Sequence, residues 1–257
     1  MTFEDKNVVV TGAAGVFGRW IAAAFAREGA RLCLSDRRRD ALEALRGELG
    51  LDQRSIVHAT ELTEESSVLD LAATVRDAWG APDVVINNAG IYPKGGLLDL
   101  PTAEWDRIFD INLRAPFLVT REMAKLMIAR GVKGAFVNIS SGAARQMRNG
   151  SVPYCTSKTA LERLTKGFAL ELAPYGIRMN AVEPGFAPGS VVSPLAEEYV
   201  ERMKARIPLG RTSGPDDAPE AILYLCSPKA SFVTGAVLSV DGGNSIGTYE
   251  PGQLGPV

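Results

Sequence analysis

Tyr154, Lys158 and Ser141 are residues whose types and spacing suit one piece of chemistry, the movement of a single proton. A tyrosine and a lysine four positions apart lie on one helix face, with about 5–6 Å between their side-chain bases. An ammonium that close favours the phenolate, so the spacing predicts a Tyr154 pKa below the usual value of about 10. A tyrosine tuned toward neutral pH serves as general acid or base. Ser141 adds a hydroxyl to the pair. For the three to meet, a strand must end at Ser140 and a helix must run from about Pro153. Cys155 flanks Tyr154 but faces elsewhere on that helix, so it reads as packing.

The rest of the chain supplies such elements in alternation. Short apolar runs at Val8–Val10, Leu32–Leu34, Ile56–Val57, Val84–Ile86, Phe136–Ile139, Met179–Val182 and Val237–Val240 read as strands. Helical patterns mark Trp20–Glu28, Arg38–Leu49, Ser66–Trp79, Trp105–Arg130 and Thr159–Ala173. Unbroken apolar strands are buried on both faces, and strands alternating with helices build a parallel sheet. Right-handed crossovers then predict an α/β fold. It is a doubly wound, Rossmann-type sheet of about seven parallel strands with helices on both faces. No linker rich in Pro, Gly and Ser divides the chain, so residues 1–243 form a single domain. Residues 244–257 form a Gly- and Pro-rich tail without a clear element, which wraps a neighbouring surface or moves in part.

Thr11-Gly12-Ala13-Ala14-Gly15-Val16-Phe17-Gly18 leaves the first strand and opens the first helix. Glycines there let the backbone turn tightly and approach a pyrophosphate, whose charge then sits at the helix N-terminus. Asp36 ends the second strand. A carboxylate there accepts hydrogen bonds from both hydroxyls of an adenosine ribose and repels a 2′-phosphate, which favours NAD over NADP. Arg37, Arg38 and Arg39 pull the other way, because arginines beside that ribose can clamp a 2′-phosphate.

Several functions are disfavoured by composition. A net charge of −2 leaves no nucleic-acid footprint and no basic patch for a membrane surface. No apolar run approaches the roughly 20 residues that span a bilayer. The N-terminal residues lack the shape of a signal peptide. Cys33, Cys155 and Cys226 are scattered and odd in number, so they read as reduced thiols in a cytoplasmic protein. His58 is the single histidine, which argues against a metal site and reads as a strand-end residue without catalytic duty.

Taken with Asn87-Asn88-Ala89-Gly90, Asn112, Pro184-Gly185 and Val240-Asp241-Gly242-Gly243, these motifs resemble the short-chain dehydrogenase/reductase family over nearly the whole chain. The resemblance implies an NAD(P)-dependent oxidoreductase that passes a hydride between a nicotinamide and a secondary alcohol or ketone. Tyr154 would be its general acid/base, Ser141 would bond the substrate oxygen, and Lys158 would bond the nicotinamide ribose. Asn112 would hold a water linking Lys158 to solvent. Glu61 and Leu62 would sit beside the adenine, with Asn88, Ala89 and Gly90 along the cofactor floor. Pro184, Gly185 and the backbone of Ala187 would meet the carboxamide. A symmetric homo-oligomer, dimer or tetramer, is implied through the helices carrying Phe109, Phe117, Met123, Leu161, Leu164, Phe168 and Leu172.

Two departures stand out. The family's usual turn places glycine at position 16, where this chain has Val16 and a displaced Gly15. A threonine commonly sits at what is here Gly189, a role that Ser190 takes over by a one-residue shift or that is missing. A substrate loop at about 186–206 has a hinge at Ala187–Ser190 and closes as a lid. With the Ile91–Leu97 and Gly142–Val152 loops it forms the pocket. Tyr92, Met147, Phe186 and Leu195 would give an apolar wall, and Lys94, Arg145, Gln146 and Arg148 would meet a carboxylate or sugar hydroxyls or form a solvated rim. Two alternatives keep the fold and change the function. One is a cofactor-independent dehalogenase-like lyase, which Lys158, Asp36 and the glycine turn oppose. The other is a non-catalytic NAD-binding regulator, for which the Ser141–Tyr154–Lys158–Asn112 set would have no purpose.

Overall fold

Val8 and Val10 face one side of their strand and Val9 the other, and all three are fully buried. A strand in that position needs cover on both faces, and two layers of helices provide it. The computed structural model describes residues 2–51, 53–189 and 195–250. Among these, seven strands form one parallel sheet: β1 (Asn7–Thr11), β2 (Arg31–Asp36), β3 (Ile56–Ala59), β4 (Val84–Asn87), β5 (Ala135–Ile139), β6 (Arg178–Pro184) and β7 (Val237–Val240). Their order is β3-β2-β1-β4-β5-β6-β7. The order reverses between β1 and β4, which opens a crevice beyond the carboxyl ends of those strands. The sequence expectation of a doubly wound, single-domain sheet holds at each strand.

One face packs on α1 (Val16–Arg27), α2 (Arg39–Glu48) and α8 (Asp217–Cys226), through Ile21, Phe25, Leu42, Leu45 and Ile222. The other packs on α3 (Glu65–Trp79), α5 (Ala115–Arg130) and α6 (Val152–Leu172), through Leu71, Val75, Met123, Met127 and Leu172 around Phe136. Burying a side chain of this size contributes about 1.5–3 kcal/mol. Side-chain amides and hydroxyls inside this layer form a ladder, in which, among the described residues, Asn87 Oδ1 alone is left without a partner. Asn87 donates to Thr120 (2.9 Å) and to Asn138 (2.8 Å), and Asn138 donates to Thr165 (2.8 Å). The ladder ties β4 and β5 to α5 and α6.

Three elements differ from expectation. The predicted helix over Trp105–Arg130 is α4 (Thr102–Phe109) and α5, joined by a π turn over Asp110–Arg114. Pro116 has no N–H to give the Asn112 carbonyl, so the regular ladder cannot run through this point, and Ala115 bonds Asp110 instead. The segment predicted to be a loop at about 186–206 contains a short helix, α7 (Glu197–Lys204). The third is α8, whose start at Asp216 and Asp217, with Pro219 in its first turn, marks a helix that periodicity alone did not single out. Ser190 and the rest of 190–194 lie outside the described residues, as does 251–257 of the tail.

Candidate active site

The glycine turn is shaped by steric contact. Gly12 has φ +62°, and a Cβ there would sit 2.7 Å from the Cα of Ala89. At Gly18 a Cβ would lie 2.2 Å from the Gly12 carbonyl oxygen, so helix and turn could not pack. Gly15 caps α1 in extended conformation, and α1 begins at Val16 with no acidic residue in its first turn. The turn therefore accommodates Val16 and Phe17 by placing the displaced glycine at the helix start. Free N–H groups, positive helix-end potential and missing Cβ atoms together fit a pyrophosphate.

Asp36 lies beside this turn. Its Oδ2 accepts from the Ala14 N–H at 3.3 Å, while Oδ1 accepts from the Arg38 N–H at 3.1 Å and from Arg38 Nε at 3.2 Å. Arg37 is exposed, and Arg39 pairs with Glu43 on α2 at 3.6 Å. Asn88 closes the floor, its amide donating to the carbonyls of Thr11 and Gly12, each at 3.0 Å. Ala89 N–H reaches the Thr11 hydroxyl at 3.3 Å. A Cβ on Gly90 would meet Asn112 Oδ1 at 3.3 Å and Lys158 Nζ at 3.5 Å, which puts these three residues together. Glu61 is exposed and accepts from Thr63, whereas the Leu62 side chain belongs to the core. Gly185 at the end of β6 donates to the Val240 carbonyl at 2.8 Å, and Phe186 accepts from Ser213 N–H at 2.8 Å. Pro184 and Ala187 flank them, partly exposed. Gly189 has φ +103°, a backbone a β-branched threonine avoids, which accounts for the missing family residue.

Ser141, Tyr154 and Lys158 meet as the spacing predicts. Ser141 follows β5 and caps a short turn at Gly142–Ala144, accepting from Ala143 N–H at 3.2 Å. Tyr154 lies in the first turn of α6, beside the Ser141 hydroxyl. Lys158 is 4% exposed, with Nζ 5.9 Å from the Tyr154 ring centroid and donating to the Ile139 carbonyl at 2.8 Å. Asn112, in the π turn, clasps Ile91 through both amide atoms, each at 2.9 Å, and donates to Ser157 at 3.1 Å.

The electrostatics correct one expectation. Burial pushes the Tyr154 phenol above its usual value, and the Ser141 hydrogen bond and the Arg148 charge draw it back in part. Burial also lowers Lys158 to about 8, against the pull of Glu162. Desolvation of both partners outweighs their proximity, so spacing alone gave the wrong direction for Tyr154 in the protein by itself.

Around the mouth, Tyr92 lies edge-on to Tyr154 at 6.2 Å, and Tyr199 on α7 meets Phe186 at 6.2 Å. Lys94 stands over the Tyr199 ring at 4.8 Å. Arg145 pairs with the buried Glu183 while its own side chain stays 40% exposed, and Gln146 donates to the Ser245 carbonyl at 3.0 Å. Glu183 and Ser245 were missed in the sequence, where nothing local marks either as a partner of this turn. His58 bonds Thr60 and Asp70 at the rim of β3, away from these groups. Cys155 is fully buried, and among the described residues all three cysteines are free and no cluster could hold a metal.

Residues 12–245 match the family model described as enoyl-(acyl carrier protein) reductase. A 3-oxoacyl-(acyl-carrier-protein) reductase of Thermotoga maritima is 34% identical, over 95% of this chain and 99% of that protein. The cis-4-hydroxycyclohexanecarboxylate dehydrogenase of Sinomonas cyclohexanicum is 38% identical, over 94% and 97%. A short-chain dehydrogenase/reductase from Mycobacterium marinum superposes with a TM-score of 0.89 at 32% identity, covering 95% and 97%. The chain belongs to the short-chain dehydrogenase/reductase family. As a member it is a nicotinamide-dependent oxidoreductase. A 3-ketoacyl-(acyl-carrier-protein) reductase from Brucella melitensis complexed with NADH also aligns with this short-chain dehydrogenase/reductase, at a TM-score of 0.84, 32% identity and coverage of 94% and 99%. No helix among the described residues is long and apolar enough to cross a membrane.

Proposed function

We propose that this enzyme interconverts a secondary alcohol and its ketone, with Tyr154 as general acid/base and NAD(H) preferred over NADP(H). The observation carrying the proposal is the convergence of three groups: the Ser141 hydroxyl beside the Tyr154 phenol, and the Lys158 ammonium 5.9 Å from the phenol ring. In oxidation the substrate hydroxyl lies between Ser141 and Tyr154. Tyr154 takes its proton and Ser141 holds its oxygen; reduction reverses the transfer. The nicotinamide, when bound, accepts or supplies the hydride. Gly12, Gly15, Val16, Phe17 and Gly18 would hold the pyrophosphate, and Asp36, with Arg37 beside it, would face the adenosine ribose. Glu61 and the Leu62 backbone would border the adenine. Asn88, Ala89 and Gly90 would form the floor, with Pro184, Gly185 and Ala187 toward the carboxamide and Lys158 toward the second ribose. Asn112, held on Ile91, positions a water for Lys158.

Asp36 supports the NAD preference because its carboxylate is fixed where a 2′-phosphate would be repelled. Apolar side chains at Tyr92 and Phe186 suit a hydrocarbon substrate body beside the reacting oxygen. The segment containing α7 acts as a lid. The α5 and α6 faces, where Phe117 and Leu170 remain exposed, support a homo-oligomer, dimer or tetramer. The test is absorbance of reduced nicotinamide across a panel of secondary alcohols with NAD+ and then NADP+. Turnover, faster with NAD+, is the expected result. NAD+ binding without turnover of any alcohol would favour a regulator instead.

A further inference from the structure

We infer that Arg145 and Glu183 are positioning residues for the reaction, locking the turn after Ser141 onto the end of β6 and the Asp241–Ser245 turn. The inference rests on the reading of Ser141 and Tyr154 as the reacting pair. Glu183 sits in β6 immediately before Pro184 and is 0% exposed. A carboxylate so placed needs charge and hydrogen bonds to be tolerated. Arg145 supplies them in fork geometry, with Nε 3.2 Å from Oε1 and Nη2 2.7 Å from Oε2. The Ser239 hydroxyl of β7 donates to the same carboxylate.

The guanidinium reaches further. It also donates to Ser245 Oγ at 2.6 Å and to Ser239, while Ser245 in turn donates to Asp241. Ser245 packs on the residue after Ser141, since a Cβ on Gly142 would lie 2.6 Å from that of Ser245. Glu162 of α6 stands beside Glu183 in the same cluster and accepts from Ser140 at 2.6 Å, and Thr159 donates to the Ala144 carbonyl at 2.8 Å. The turn that carries Ser141 is therefore held at both ends by side chains from β6, β7, α6 and the tail. Their effect is to fix where the Ser141 hydroxyl stands relative to Tyr154.

The discriminating variants are Arg145→Ala and the double replacement Arg145→Met with Glu183→Leu. Removing one partner strands a buried charge and destabilises the fold; replacing both with apolar groups restores stability. If the pair positions Ser141, the folded double variant still loses roughly 100-fold in kcat, the scale of a displacement near 1 Å at the reacting centre. Its Kd for NAD+, by calorimetry, stays within about threefold, because the glycine turn lies at the other end of the cleft. A double variant with wild-type melting temperature and wild-type kcat overturns the inference, since it leaves the pair a purely structural role. Failure of the underlying reading is distinct: the wild type itself would then turn over no alcohol.

Discussion

Lys158 donates to the Ile139 carbonyl at 2.8 Å while its ammonium stands 5.9 Å from the Tyr154 ring centroid. The strand end thus holds the amine at a fixed distance from the phenol. Both groups are desolvated there, which moves the phenol up and the amine down to about 8.

That depression makes stability depend on pH. Unfolded, the lysine titrates near its ordinary 10.5; folded, near 8. Between those values the unfolded chain binds more protons, so stability from this site rises with pH and its burial penalty is fully present below about 8. The window corresponds to about 3 kcal/mol at about 1.4 kcal/mol per unit. Melting wild type and Lys158→Met at pH 7 and pH 10 should show the wild type gaining on the variant at the higher pH. An unchanged difference would contradict this account.

Tyr154→Phe keeps the ring and its edge contact with Tyr92 but removes the hydroxyl proposed to carry the proton. Turnover should fall by about 10²–10⁴-fold, the usual contribution of acid–base catalysis, with NAD+ affinity nearly unchanged. Steady-state rates paired with calorimetric binding decide it. Retained turnover would exclude Tyr154 from the role.

Gly18→Ala brings a Cβ to 2.2 Å from the Gly12 carbonyl, so α1 or the turn must shift. A cost of about 1–3 kcal/mol is expected for such overpacking. The melting temperature should drop by several degrees, and the stabilisation normally given by added NAD+ should shrink. Gly15→Ala, whose Cβ would meet the same oxygen at 3.3 Å, should melt closer to wild type.

Asp36→Ala removes a fixed negative charge and frees Arg38 from its 3.2 Å contact. Preference for NADP+ over NAD+, measured as a ratio of kcat/KM, should rise by at least about tenfold, because juxtaposed like charges cost several kcal/mol. An unaltered ratio would show that Asp36 does not read the ribose.

Much of the fold could be read along the chain because its signals are local. Val8–Val10 and Phe136–Ile139 are unbroken apolar runs, and each became a strand buried on both faces. Tyr154 and Lys158 were placed together by helical spacing alone. The helix over Trp105–Arg130 was read as continuous because periodicity carries through a π turn almost unchanged, while Pro116 breaks the hydrogen-bond ladder without breaking the apolar pattern. Polar α7, with no buried residue, offered no apolar stripe to detect.

By itself, the sequence determined the sheet, the glycine turn and the placing of Tyr154 and Lys158 on one helix face, since neighbours within one or two turns of chain dictate them. Tertiary structure alone decided the direction of the Tyr154 pKa, the pairing of Arg145 with Glu183, and the seating of Ser245 against Gly142. Desolvation and long-range pairing depend on what distant segments bring to a point, and no local pattern encodes that.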